Sequence, residues 1–148
     1  MGIDKQDFQH GAALAAIVKD HRFTSLNKAS ERYGHYLVND DRYVFVKYCT
    51  KPSRVQYQFT FSAEEKQSIA QFRGQKHAYV VLVCGEVAVA ELTVAQLEQL
   101  TDGDDSARQS TVYIVAQPGR SLRARSAGAE LRHAIPRNGF PGLVLAGC

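Results

Sequence analysis

The stretch from Tyr33 to Phe61 constrains the fold most, because it predicts three strands joined by two turns. Residues 43–49 are almost all β-branched or aromatic, which is typical of a strand buried on both faces. Residues 39–42 have turn chemistry, since Asn and Asp tolerate left-handed backbone and bond to their own main chain. The sequence therefore predicts a hairpin of residues 33–38 and 43–50.

A second turn follows at residues 51–54, where Pro52 lacks the N–H group that a central strand would need. After it, Tyr57, Phe59 and Phe61 alternate with polar residues, which predicts a half-buried strand with one aromatic face. We expect the core of the protein to include Phe45, Phe59, Val80, Leu82 and Ile114.

The remaining chain supplies helices and further strands. We expect a helix over residues 4–20 with one apolar stripe of Phe8, Ala12, Ala15 and Val18, and with Leu14 and Ile17 beside it. Capping boxes begin two more helices at Ser62 and Thr93, an acidic loop occupies residues 102–106, and strands are predicted at 77–83, 87–92 and 110–116, with a second hairpin over 121–135. The order predicts an α/β (α+β) fold: one mixed sheet that starts with a three-strand meander and is covered by helices.

Length and composition favour one globular domain spanning residues 1–148. No window has the roughly 18 apolar residues of a membrane helix, and the N-terminus lacks the apolar core of a signal peptide. The cysteines, Cys49, Cys84 and Cys148, are odd in number and widely spaced, which favours a reduced cytoplasmic protein over a disulfide framework or a zinc site. No membrane association is expected.

Positive charge is concentrated in residues 117–148, the predicted basic hairpin and tail. This part has five arginines and one acid, Glu130, a net charge of +4, whereas residues 1–116 have 13 bases and 14 acids, a net charge of −1. Four of these arginines are candidates for binding phosphates of DNA, RNA or another polyanion: Arg120, Arg123, Arg125 and Arg132. The alternative is that they form a solvated outer strand face. The hairpin itself has no aromatic residue for stacking bases.

A second candidate site is the polar cluster of the first hairpin, which consists of His35, Asn39, Asp40, Asp41 and Lys47. Carboxylates beside a strand lysine can hold Mg²⁺ and position a water for phosphodiester cleavage. The alternative is that the acids only form a turn and that Lys47 extends its ammonium group to solvent at a sheet edge. Cys84 at a strand end is a candidate nucleophile; the alternative is a small buried thiol with a packing role. Motifs for nucleotide binding, zinc proteolysis and serine hydrolysis are absent from the sequence.

Two resemblances bear on these sites. The meander, helix and buried strand are similar to the core of the restriction-endonuclease-like nucleases, a family that pairs an acid at the start of one strand with an acid-x-Lys triplet on the next. That likeness implies Asp40 or Asp41 as the first acid, and the triplet is missing because Phe45 stands two residues before Lys47. The strings YLVND, VKYCTK, FTF and VVLVCG, with NGFP at residues 138–141, resemble a group of short uncharacterised bacterial proteins. This second likeness implies a bacterial cytoplasmic protein and supplies no site residue.

Three functions are compatible with the sequence. The one that we expect is a non-catalytic binding or accessory domain that contacts nucleic acid or another polyanion through the basic hairpin and needs no cofactor. A divergent metal-dependent nuclease, with Mg²⁺ as its cofactor, and a protein-interaction module without a nucleic-acid role are the alternatives. Whether the protein is an enzyme stays open at this point.

Overall fold

A computed structural model describes residues 2–101 and 107–148, and it confirms the α+β class. The predicted acidic loop at residues 102–106 lies outside the described residues. In chain order the elements are α1 (Lys5–Lys19), β1 (Leu26–Lys28), β2 (His35–Val38), β3 (Arg42–Cys49), β4 (Gln56–Phe61), α2 (Ala63–Ala70), β5 (Ala78–Cys84), β6 (Ala88–Thr93), α3 (Val94–Thr101), β7 (Ser110–Val115) and β8 (Arg123–Arg125).

The first sheet has five strands in the order β1-β2-β3-β5-β6. The β3–β5 pair is parallel and the other pairs are antiparallel. All seven residues of β5 are buried, as the continuous apolar run predicted. The predicted β2–β3 hairpin is confirmed, and its three-residue loop, between the paired Val38 and Arg42, has positive φ at Asn39 (54°) and Asp40 (64°), a backbone conformation that Asn and Asp tolerate.

The prediction of a single sheet is wrong, because β4 leaves the meander and forms a second, antiparallel sheet in the order β4-β7-β8. The place beside β3 belongs to β5, which is apolar on both sides and needs cover on both faces. One side of β4 carries Gln56, Gln58 and Thr60. A strand with one polar side is suited to an outer sheet that leaves that side in water.

The main core lies between the two sheets, closed by α2 and α3. The aromatic face of β4 packs there, and the five residues predicted as core are all buried: Phe45, Phe59, Val80, Leu82 and Ile114. Both predicted capping boxes are present, with hydrogen bonds between Ser62 and Glu65 and between Thr93 and Gln96. These boxes fix where α2 and α3 begin.

Helix α1 covers the opposite face of the first sheet, but not with the predicted stripe. Phe8 and Val18 are 58% and 47% exposed, and the buried residues are Gln9, His10, Ala13 and Ile17. The buried face is rotated from the predicted stripe toward Ile17, which was expected beside that stripe. The buried polar ring of His10 is accommodated by a hydrogen bond to a tyrosine hydroxyl, and Ala13 is small enough to pack against the sheet.

Residues 140–148 cover the rest of that face. Val144 and Leu145 are fully buried against the first sheet. The buried Glu91 of β6 accepts a hydrogen bond from the Val144 N–H at 3.0 Å, and the buried Arg42 of β3 donates to the Ala146 carbonyl at 2.9 Å. Burial raises the pKa of Glu91. Residues 140–148 are thus held on the sheet by the burial of apolar side chains and by hydrogen bonds with two buried polar side chains of the strands.

Candidate functional sites

Arg123 and Arg125 lie on the solvent side of β8. Both are exposed, and Ala124 between them is buried, as strand alternation predicted. Leu122, just before the strand, is also buried. The two guanidinium groups are therefore carried by backbone that the core anchors.

Strand register places an aromatic ring beside these arginines. Tyr113 of β7 is opposite Arg125 on one side and Gln58 of β4 on the other. Side chains opposite each other in adjacent strands share one face of the sheet. The Arg125 guanidinium reaches across β7 and donates to the Gln56 amide oxygen. The open face of the second sheet, formed by the outward residues of β4, β7 and β8, thus combines aromatic, amide and guanidinium groups.

The other two predicted arginines lie beside this face. Arg120 is in the turn before β8 and lines a groove of about 430 Å³ together with Arg123. The predicted second strand of the hairpin is reduced to bridges that pair Glu130 with Arg125 and Ile135 with Leu122. Arg132 lies between these bridges, in a stretch where pairing with β8 is interrupted.

Among residues 2–101 and 107–148, the acid that pairs with the arginines of this face is Glu130. Glu130 is 3.6 Å from the Arg123 guanidinium, and both side chains are about half exposed. Exposed pairs of this kind contribute little, typically about 0–1 kcal/mol. Arg137 donates to the main-chain carbonyls of Gln117 and Arg120, so it supports the turn that carries Arg120.

The structure does not bring Asp40, Asp41 and Lys47 together. The two acids are in the exposed β2–β3 turn, whereas Lys47 is far along β3, about 20 Å from Asp41 at the usual strand rise. The Lys47 ammonium donates a hydrogen bond to a carboxylate oxygen of Glu65 in α2, at 2.8 Å. Within residues 2–101 and 107–148, no group of three or more His, Cys, Asp or Glu side chains could hold a metal ion. This geometry gives no support to a Mg²⁺ site at these residues.

Cys84 does not have the environment of a nucleophile. Its side chain is fully buried, and burial raises the pKa of the thiol to about 12. The thiolate is the reactive form, so a neutral-pH nucleophile needs a lowered pKa. The buried position agrees with a packing role.

The structure also contains a cleft that the sequence interpretation missed. Its wall is formed by His10 of α1, by Tyr33 just before β2, and by Tyr48 near the end of β3. His10 is 3% exposed, its ring shares a hydrogen bond with the Tyr36 hydroxyl at 3.2 Å, and the ring centroid is 4.7 Å from that of Tyr33. Burial lowers the pKa of His10.

An ion pair forms the polar end of this cleft. Lys47 and Glu65 line it, their side chains are 23% and 30% exposed, and the volume is about 280 Å³. The signal for this site in the sequence is a lysine among the apolar and aromatic residues 43–49. The pairing of that lysine with α2 was not visible, because 18 residues separate Lys47 from Glu65 in sequence.

Comparisons with known proteins give no relative from which a function could be inferred. No protein-family model, no curated protein and no solved structure matches the chain. Across the described ranges, none of the helices has the length and apolar character needed to cross a membrane.

Proposed function

We propose that the protein is a non-catalytic module that binds nucleic acid, or a polyanion of similar charge, on the open face of its second sheet. The observation that carries the proposal is the neighbourhood of Tyr113, which shares this face with Arg123 and Arg125. Sheet faces that combine aromatic rings with basic side chains are used to bind single-stranded nucleic acid.

Each group has a role in this proposal. The guanidinium groups of Arg120, Arg123 and Arg125 bind backbone phosphates, because planar N–H donors match phosphate oxygens in geometry and charge. Tyr113 stacks on an unpaired base. Arg132 adds charge from the edge of the sheet. Phosphate contacts of this kind release counterions, so binding weakens steeply as salt rises.

Charge reversal on the face tests the proposal. The double variant Arg123→Glu/Arg125→Glu is compared with Lys5→Glu/Lys19→Glu, which makes the same change in net charge at exposed positions of α1. Binding of a labelled single strand and of a labelled duplex is measured at two salt concentrations. We expect the first variant to lose binding and the second to keep it. Equal loss in both variants would reduce the effect to net charge and refute a site on this face.

Tyr113→Ala separates stacking from charge. Stacking of a base on an aromatic ring contributes about 1–3 kcal/mol, so single-strand affinity should fall roughly 5- to 150-fold while duplex affinity changes little. A matched loss for both substrates would show that Tyr113 only supports the sheet. Far-UV circular dichroism confirms that each variant is folded.

We place this function in a reducing, cytoplasmic setting. Cys49, Cys84 and Cys148 are all free thiols in the structure. Free thiols persist in the cytosol, where disulfides are rare.

A further inference from the structure

The cleft between α1, β3 and α2 presents two opposite charges to one small volume. The Lys47 ammonium is 2.8 Å from a Glu65 carboxylate oxygen, and both groups are partly exposed to the cleft. Glu65 is held in place by its capping box, since its other oxygen accepts the Ser62 N–H at 3.0 Å. Lys47 is held over the Phe61 ring, with the ammonium 5.5 Å from the ring centroid. The ion pair is thus fixed from both sides before any ligand enters.

The remaining wall is uncharged and mainly aromatic, with the Gln6 amide and Val46 beside the rings. His10 is neutral at pH 7 because burial lowers its pKa, and its ring lies against Tyr33. Tyr33 is itself positioned by a hydrogen bond from its hydroxyl to Asp7 at 2.5 Å. Aromatic rings bind apolar carbon and also attract an ammonium group at their faces. The wall therefore suits a ligand with an apolar body.

We infer that this cleft binds a small zwitterion, an α-amino acid with an apolar or aromatic side chain. The ligand carboxylate pairs with the Lys47 ammonium, and the ligand ammonium pairs with the Glu65 carboxylate. The side chain of the ligand packs on the wall of His10, Tyr33 and Tyr48. A ligand that is only an anion would place its charge beside Glu65, and a ligand that is only a cation would place its charge beside Lys47. The inference does not depend on the function proposed for the second sheet.

Three matched probes test the charge requirement on the unaltered protein. L-phenylalanine has both charges, phenethylamine lacks the carboxylate, and 3-phenylpropionate lacks the ammonium. Binding is followed by isothermal titration and by chemical-shift changes of ¹⁵N-labelled protein. We expect L-phenylalanine to bind, and each analogue to bind roughly 10- to 100-fold more weakly, because each loses one charged hydrogen-bonding group.

Two substitutions test the location. Glu65→Gln keeps the capping box, in which Gln also serves, and Lys47→Met keeps the apolar stem of the side chain over Phe61. Glu64→Gln is the matched control, because this neighbouring acid is 77% exposed and pairs with Arg32 outside the cleft. Glu65→Gln and Lys47→Met should each weaken L-phenylalanine binding at least tenfold, and Glu64→Gln should bind it as the parent does.

Several results would overturn the inference. Absence of any shift with L-phenylalanine up to about 10 mM, a concentration at which even weak millimolar binding is visible, is one. Equal or stronger binding of an analogue with one charge is another, since it assigns the cleft to a simple amine or carboxylate. Unchanged binding in both Glu65→Gln and Lys47→Met would place the amino acid elsewhere on the protein.

Discussion

His35 places an ionisable ring in the apolar core, and this has a consequence for stability. The residue is 4% exposed, and its ring centroid is 4.7 Å from that of Phe45 and 5.8 Å from that of Phe72. Burial lowers the pKa of His35 below its ordinary value of 6.5, and Arg32 lowers it further while Glu65 opposes this. The folded protein therefore binds protons at this ring less readily than the unfolded chain does.

The sign of the pH dependence follows from that difference. Between the lowered pKa of the folded state and 6.5, the unfolded chain holds more protons, so the free energy of unfolding rises with pH. The stabilisation is fully present above pH 6.5 and is lost as the pH falls through the lowered pKa. Urea unfolding at pH 7.5, 6.5 and 5.5 should show a smaller decrease for His35→Gln than for the parent. His21→Gln, at a side chain 91% exposed, should keep the parent's decrease; a parallel slope for His35→Gln would contradict the assignment.

At the scale of elements, two phenylalanines with the same hydrophobic side chain differ in burial, and we expect their substitutions to differ in cost. Phe59 of β4 is 1% exposed in the core between the sheets, and Phe8 of α1 is 58% exposed. Phe59→Ala should reduce the free energy of unfolding by about 3–5 kcal/mol. Phe8→Ala should change it by no more than about 0.5 kcal/mol. Unfolding is followed by far-UV circular dichroism, since the chain has no tryptophan, and equal midpoints for the two variants would contradict this packing.

The elements differ in how much of their placement the sequence could predict. Local signals were sufficient for the β2–β3 hairpin, for both capping boxes and for β5, because turn chemistry, caps and a continuous apolar run act within a few residues. The sheet to which β4 belongs depends on β7, whose Thr111 pairs with Thr60 across 51 residues, and no local pattern encodes that choice. For the same reason the position of Tyr113 beside Arg125 needed the strand register and could not be predicted from the hairpin alone.

At the scale of the whole molecule, both faces of the first sheet are covered. The second sheet covers one face, and α1 together with residues 140–148 covers the other. Leu145 is fully buried there, and Leu143 is only partly buried. Leu145→Ala should cost about 2–5 kcal/mol, close to the loss for a central core position, and Leu143→Ala should cost less. Chemical denaturation measures both variants. A Leu145→Ala protein as stable as the parent would mean that this segment is not docked in solution.

The docked segment also sets an order of events during synthesis. Val144 and Leu145 follow every strand of the sheet that they cover, so a ribosome has made the whole sheet before their side chains exist. Until Val144 and Leu145 leave the exit tunnel, the valines of β3 and β5 on that side are only partly covered. Arg42 then lacks its acceptor, the Ala146 carbonyl, and Glu91 lacks its donor, the Val144 N–H. Exposed apolar surface of this kind is what chaperones bind. The nascent chain therefore carries an open core face from the time that β6 has emerged until residues 140–148 follow it.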